Sequence, residues 1–118
     1  MLAQIDKECE DVGVFPHAML AGHSHNYQRY TRSVTAGTRT LQIPSIVAGC
    51  GGHADTTVTA AHGQDVNNAV FEKSMKGYGY LLLTANASQL TIEMFATANG
   101  RKSLFDATTV DLASRRAT

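Results

Sequence analysis

A strict alternation of apolar and polar residues near the C-terminus limits the fold of this chain more than any other feature. Leu90, Ile92 and Met94 fall on one face of an extended segment, and the residues between them fall on the other. The Asn99-Gly100 pair follows, and this dipeptide favours a tight hairpin turn. The alternation and the turn together predict neighbouring antiparallel strands.

Further strands are expected on both sides of this segment. Residues 80–84 are predicted as a strand that leads into a turn at residues 85–89. Residues 101–107 return from the hairpin, and residues 109–113 are expected to continue the meander. The tail, residues 114–118, has no apolar pattern and is expected to fray.

The N-terminal part of the chain predicts a single helix. Leu2, Ile5, Cys9 and Val12 recur at intervals of three and four residues, which places them on one helix face. Gly13 follows at the usual position of a C-terminal glycine. The sequence therefore predicts a short amphipathic helix that ends at Gly13.

Three strand candidates follow this helix. Residues 18–21 form a short apolar run that predicts a buried strand, and a polar loop begins at Gly22. Ligand sites often lie just past such strand ends. Residues 27–34 alternate loosely, and residues 41–48 are apolar enough for a buried strand. Pro44 places a bend or an edge within the latter.

The middle of the chain lacks regular patterning. Residues 49–52 interrupt any helix or strand, and residues 54–68 are small and polar, which predicts a long loop. Loops of this length are often functional or mobile. The aromatic residues expected in the core are Phe71, Tyr78, Tyr80, Phe95 and Phe105.

Length and charge exclude several classes of protein. The 118 residues suffice for one small domain, and the formal net charge of zero argues against nucleic acid as the main partner. No apolar run approaches the ~20 residues that cross a bilayer, so no membrane partner is expected. The N-terminal residues lack the basic leader and apolar core of a signal peptide. Cys9 and Cys50 are either free thiols or one disulfide.

Of the five histidines, only His23 and His25 lie close together in sequence. Their spacing on an extended loop can direct two imidazoles into one pocket, where each binds a different metal ion. Gly22 lets the chain turn sharply out of the preceding strand. The competing interpretation is a pair of solvated surface histidines. The apolar strand before the pair and the tyrosine and arginine after it favour the metal site.

The run of residues 18–30 resembles the last motif block of calcineurin-like metallophosphoesterases, in the branch that includes purple acid phosphatases. In that branch an apolar strand precedes Gly-His-x-His, and a tyrosine and an arginine follow. By this resemblance His23 binds one metal ion and His25 binds the other. Tyr27 and Arg29 are expected to hydrogen-bond behind the loop and orient the ligands. The alternative for both residues is plain surface.

Two other segments extend the resemblance. Residues 47–52 are similar to the strand and glycine-rich loop that follow in that branch, and residues 76–81 to its closing strand. The resemblance implies an α+β fold, the C-terminal part of an α/β/β/α sandwich with mostly antiparallel strands and one N-terminal helix. Residues 1–118 would form the C-terminal portion of a single domain. One departure is Gln28, where that branch usually has glutamate.

The resemblance also implies two divalent or trivalent metal ions (iron, zinc or manganese) that activate water for attack on a phosphate ester. The family's other ligands come from Asp-x-His or Asp-x-Gly, Gly-Asp and Gly-Asn-His blocks and a further histidine. None of these blocks occurs in its family context. Asp6 and Asp11 lie on the predicted helix, where the string Asp11-Val12-Gly13 is the helix end. The family blocks would lie N-terminal to Met1. The chain is thus expected to be a fragment whose partner is the N-terminal part of the same domain. Relatives are often exported, which leaves the compartment open.

Three interpretations of function follow. The first is a phosphoric ester hydrolase acting on phosphomonoesters, or alternatively phosphodiesters, of which the isolated chain is an inactive fragment. The second is a non-catalytic fragment or binding module with at most a weak metal site, because two histidines fall short of the usual three or four ligands. The third is a small β-rich structural domain in which His23 and His25 are incidental.

The fragment interpretation carries an expectation about stability. Without a partner sheet, the strands at residues 18–21 and 43–48 would expose apolar surface. We therefore expect marginal stability for the isolated chain and association through open strand edges.

Overall fold

The computed structural model describes residues 1–66 and 68–118. These residues form one α-helix and eight β-strands. Their bounds are α1 Leu2–Val12, β1 Met19–Ala21, β2 Tyr27–Ala36, β3 Arg39–Ala48, β4 Asp65–Val66, β5 Ala69–Met75, β6 Tyr78–Ala85, β7 Gln89–Ala98 and β8 Arg101–Asp111.

The strands form two sheets. One has the order β1-β3-β2-β5-β4, and the other has the order β6-β7-β8. β1 and β3 run parallel, with Met19 opposite Ser45, and the other paired strands run antiparallel. One helix with mostly antiparallel strands in two sheets confirms the α+β prediction.

The main core cluster draws on both sheets. Ile92 and Met94 of β7 are buried together with Tyr27, Ile46 and Cys50. The predicted alternation is confirmed at Ile92 and Met94, whose side chains point into this core. Burial of these side chains supplies the hydrophobic free energy that holds the two sheets together.

α1 covers only part of the five-stranded sheet. Gly13 has a φ of 71° and ends the helix in the left-handed conformation, as predicted. Cys9 packs against a small buried cluster around Phe15, and Asp6 forms an ion pair with Arg32 of β2 at 2.6 Å. None of the helices in the described residues has the length and apolar character to cross a membrane.

The two cysteines are free thiols, which decides between the alternatives left open by the sequence. Cys9 is half-buried on α1, and Cys50 is buried after β3. Burial raises the pKa of the Cys50 thiol above its ordinary value. Cys50 therefore acts as a small core residue.

β3 is an interior strand, so the edge alternative for Pro44 is wrong. β3 lies between β1 and β2, and Pro44 is opposite Thr31 of β2. β1 begins to pair with β3 only at Ser45. The missing N–H of Pro44 therefore interrupts no described pairing with β1.

Two strand bounds differ from the prediction in the middle and at the end of the chain. Within the predicted loop, β4 forms a short ladder in which Asp65 is opposite Val70 of β5. A strand of two residues is too short to show a period. The strand predicted at residues 109–113 is instead the end of β8, which runs without a break to Asp111.

The prediction that the C-terminal tail frays is wrong. Thr109 and Thr118 exchange two backbone hydrogen bonds with N–O distances of 3.1 and 3.0 Å. The Arg115 guanidinium donates to the carbonyl oxygens of Phe15 and Pro16 at 3.1 and 2.6 Å. Backbone pairing and one arginine hold the tail, and neither leaves an apolar pattern in the sequence.

The aromatic residues divide between the core and the surface. Phe71 is buried, whereas Tyr78 is 47% exposed and Tyr80 is 41% exposed, so the core prediction is wrong for these tyrosines. Tyr80 lies opposite Phe95 on the outer face of the three-stranded sheet, and their ring centroids are 5.4 Å apart. Stacking between Tyr80 and Phe95 removes part of each ring from water without placing either ring in the core.

Candidate functional site

The fold brings two loops together at one edge of the five-stranded sheet. Residues 22–26, here called the histidine loop, follow β1, and residues 49–52, here called the glycine segment, follow β3. Because β1 and β3 are parallel, their C-terminal ends lie at the same edge. This is the position at which ligand sites form in sheets with parallel strands.

Gly49 packs directly against the histidine loop. Its backbone N–H donates to the Asn26 carbonyl oxygen at 3.1 Å. A Cβ added at Gly49 would lie 2.0 Å from the Ser24 carbonyl oxygen, far inside van der Waals contact. Only glycine fits here without moving the backbone between His23 and His25.

His25 is held in one orientation by the segment after the glycine segment. Its ring nitrogen Nδ1 lies 3.1 Å from the carbonyl oxygen of Ala54. A carbonyl only accepts hydrogen bonds, so Nδ1 is the donor, and in the neutral form of the ring Nε2 is left with its lone pair. Metal-binding histidines are commonly oriented by such a bond from the other ring nitrogen to a carbonyl.

Further hydrogen bonds fix residues 54–56 over the histidine loop. The Thr56 backbone N–H donates to the His25 carbonyl oxygen at 2.9 Å. The Asn26 side-chain amide donates to the Thr56 hydroxyl at 2.9 Å, and Asn26 is itself buried. The site therefore depends on residues of the long loop that the sequence predicts at residues 54–68.

His53 lies against His25. The centroids of the two imidazole rings are 4.1 Å apart and their planes are tilted by 42°. From its sequence His53 is predicted to be an exposed loop histidine, with contact to substrate as the alternative, and it is exposed. The sequence feature that could have indicated a role at the site is the position of His53 directly after the glycine segment.

His23 has a different environment from His25. It is exposed, with a φ of 77° in the left-handed region that is uncommon for a residue with a side chain. Its imidazole makes no hydrogen bond, ion pair or ring contact within residues 1–66 and 68–118. The structure thus joins His25 to His53 and leaves the side chain of His23 in solvent.

The histidines suit a transition metal, but the described residues do not complete a metal site. Neutral imidazole with a free Nε2 is a common ligand, and the bond from Nδ1 to Ala54 orients the His25 ring for that role. Throughout the described part of the chain, no group of three or more His, Cys, Asp or Glu side chains is placed to hold a metal ion. The described residues therefore supply only part of the ligands that a metal ion needs.

Tyr27 and Arg29 both hydrogen-bond to Asp106 of β8. The Tyr27 hydroxyl donates to Oδ2 of Asp106 at 2.7 Å. The Arg29 guanidinium donates to both carboxylate oxygens at 2.7 and 3.1 Å. These bonds join β2 to the three-stranded sheet, behind the histidine loop. The role of Tyr27 and Arg29 in orienting metal ligands stays a prediction.

Asp106 controls the electrostatics of this cluster. Burial disfavours its charged form, but the hydrogen bonds from Arg29 and Tyr27 outweigh burial and lower the pKa of Asp106 below 3.8. Burial and the bond to Asp106 raise the pKa of Tyr27 far above its ordinary value. An ionised Asp106 and a neutral Tyr27 are therefore the stable pair at neutral pH.

Gln28 continues a polar chain away from the loop. Its amide donates to the Asn26 side-chain oxygen at 2.8 Å, and the Tyr30 hydroxyl donates to the Gln28 side-chain oxygen at 2.7 Å. Together with Ser24 these side chains line a groove of about 400 Å³. A glutamate at position 28 could not donate to Asn26, so the departure at Gln28 changes this chain of bonds.

A comparison with protein families matches just over half of the chain. The family model described as iron/zinc purple acid phosphatase-like protein C matches residues 43–106, which is more than half of the 118 residues. Searches of curated proteins and of solved structures found no match. The matched range starts after His25, so it does not include the histidine loop. The chain belongs to the iron/zinc purple acid phosphatase-like protein C family.

Proposed function

We propose that this chain is part of a metal-dependent phosphoric ester hydrolase, with phosphomonoesters as the favoured substrates and phosphodiesters as the alternative. Family membership supports a phosphatase-like hydrolase. The single observation that carries the proposal is the His25 ring, whose Nδ1 is bonded to the Ala54 carbonyl. That bond leaves Nε2 available at the edge where the two parallel strands end.

In this proposal His23 and His25 each bind one ion of a metal pair made of iron, zinc or manganese. Ions at such a site polarise the phosphate group and acidify water. The chain's own contribution is orientation, because Ala54 holds the His25 ring and Gly49 holds the loop that carries both histidines. Tyr27 and Arg29 support the loop from behind through Asp106.

The remaining ligands would come from outside the 118 residues. Residues 1–118 then form the C-terminal portion of a single metallophosphoesterase domain, and its N-terminal part is the main partner. Two observations support this. β1 lies at the edge of its sheet while running parallel to β3, and Leu20 of β1 is 48% exposed. Sheets of parallel strands are usually covered on both faces, so an exposed Leu20 beside an open strand edge is consistent with a missing part of the domain.

The isolated chain is expected to be inactive, and nucleic acid and membranes are not its partners in this proposal. The test starts by reading the DNA upstream of the Met1 codon, in frame, for Asp-x-His, Gly-Asp and Gly-Asn-His blocks. If they are present, the extended protein is expressed and assayed with p-nitrophenyl phosphate.

Substitutions in the extended protein then test the roles of the histidines. His23→Ala and His25→Ala should each reduce kcat/KM at least about a hundredfold, as loss of a metal ligand does. His62→Ala is the matched control, because His62 lies in an exposed loop 3.9 Å from Glu72. Unchanged activity in His25→Ala contradicts the proposed metal role.

The alternative function is a non-catalytic module with at most a weak metal site. It is favoured by the absence of a third ligand near His25 among the residues that the structure describes. An in-frame stop codon just before Met1 would support this alternative and exclude hydrolysis by a longer chain. The β-rich structural domain with incidental histidines predicts that His23→Ala and His25→Ala leave metal binding unchanged.

A further inference from the structure

We propose that His53 is a metal ligand and that His25 and His53, here called the imidazole pair, bind one divalent transition-metal ion in this chain. The inference rests on the proposed metal role of His25 and adds a residue outside the Gly-His-x-His motif. In the motif, the second histidine next to His25 is His23. In the structure the His25 ring instead lies against the His53 ring, and the His23 side chain is in solvent.

The positions of the two rings support a shared ion. The ring centroids are 4.1 Å apart, which places the two imidazoles side by side. The exposed side chain of His53 would have to rotate so that one nitrogen from each ring faces the same ion. On His25, Nδ1 is engaged with Ala54 and Nε2 remains. On His53, neither ring nitrogen makes a hydrogen bond within the described ranges, so either nitrogen can bind.

The backbone on both sides of the imidazole pair is fixed. His25 is flanked by the buried Asn26, and the segment after His53 is held through Thr56, which bonds to His25 and Asn26. Because His25 is already held by Ala54, binding would immobilise mainly the His53 side chain and little backbone, which keeps the entropic loss small.

The surroundings of His53 favour a cation ligand over a structural role. It is exposed, and it makes no ion pair with a carboxylate in the described part of the chain, unlike His62, which lies 3.9 Å from Glu72. Two imidazoles with open positions for water suit zinc, nickel or copper ions. A site with two protein ligands is weaker than the usual sites with three or four.

The experiment uses the 118-residue chain with ¹⁵N-labelled histidines and Zn²⁺ as the probe. We expect the ring signals of His25 and His53 to shift together and saturate at the same Zn²⁺ concentration. His53→Gln should weaken Zn²⁺ binding about tenfold or more. His62→Gln removes another exposed loop histidine and should leave the affinity unchanged.

The outcomes separate this inference from the proposed function. If His25 shifts while His53 does not, or if His53→Gln binds Zn²⁺ as wild type does, the imidazole pair is wrong and the role of His25 stands. If neither ring responds, the imidazole pair is wrong, and the role of His25 in the longer protein is then decided by the activity of His25→Ala. The backbone amide spectrum of His53→Gln verifies that the variant is folded, and His53→Asn provides a second variant that also lacks the imidazole.

Discussion

Gly49 is the single residue whose size most directly controls the histidine loop. A Cβ at this position would lie 2.0 Å from the carbonyl oxygen and 2.8 Å from the carbonyl carbon of Ser24. Gly49→Ala must therefore displace backbone, and we expect it to destabilise the chain by about 1–3 kcal/mol. Urea unfolding measures the loss, and the ring signals of His25 should shift in the same variant.

Gly51→Ala is the matched control for this substitution. A Cβ at Gly51 would meet nothing within 4 Å, so we expect little loss or a slight gain in stability. Equal losses in the two variants would show that the contact with Ser24 is not the cause.

Asp106 is expected to make a large electrostatic contribution to stability, because both partners of its ion pair are shielded from solvent. Its side chain is only 5% exposed, and that of its partner Arg29 is 13% exposed. Asp106→Asn leaves the buried guanidinium without a counter-charge, and loss of a buried ion pair typically destabilises by about 3–5 kcal/mol. Chemical denaturation at neutral pH measures the change. Asp11→Asn removes an exposed carboxylate paired with Lys7 and should change stability by less than about 1 kcal/mol.

The same residue predicts a dependence of stability on pH. Because the pKa of Asp106 is lowered in the folded chain from 3.8, the stability it contributes is fully present above pH 3.8. It is lost as the pH falls through the folded-state pKa. Unfolding measured from pH 7 down to pH 2 should show a smaller acid loss in Asp106→Asn than in wild type. Parallel curves for the two proteins would contradict a depressed pKa.

Some site residues could be found from the sequence and others could not. His23 and His25 lie in a short motif after an apolar strand, so local spacing identified them as candidates. Asp106 is separated from Arg29 by 77 residues, and no local pattern indicates that the two are neighbours. Gly49 follows the end of β3, but its contact with Ser24 becomes visible only when β1 and β3 pair.

At the scale of elements, the C-terminal tail depends on a few polar contacts. Arg115→Ala removes the bonds to the carbonyl oxygens of Phe15 and Pro16, and a hydrogen bond from a charged donor contributes about 1.5–3 kcal/mol. We expect faster amide hydrogen exchange at Thr109 and Thr118, whose backbone groups pair with each other. Arg116→Ala, on an exposed neighbour, should leave exchange unchanged.

Elements with a clear period were the predictable ones. α1 is capped by Gly13 as predicted, and the predicted hairpin at Asn99-Gly100 joins β7 to β8. β4 has two residues and no period to read. Tyr78 and Tyr80 lie on the outer face of a sheet, and alternation by itself does not say which face is covered.

At the scale of the whole molecule, we expect the isolated chain to associate through β1. This strand is a sheet edge and carries Leu20, which is 48% exposed. A lysine on an edge strand opposes pairing with another chain, so Leu20→Lys should shift the chain towards monomer. Sedimentation velocity over a range of concentrations measures the effect.

Val14→Lys is the control for the added charge, because Val14 is 67% exposed in the connector after α1. It should leave association unchanged. A monodisperse wild-type monomer with a cooperative thermal transition would contradict both the association and the marginal stability expected for the chain.

The hydrogen bond between His25 and Ala54 spans 29 residues of sequence, and this separation would link the proposed metal binding to folding. An unfolded chain cannot hold the His25 ring in this orientation, so an ion bound there acts as a ligand of the folded state alone. Each tenfold rise of free Zn²⁺ above its Kd should add about 1.4 kcal/mol to the free energy of unfolding. The melting temperature would then report the zinc concentration, and a chelator would lower it.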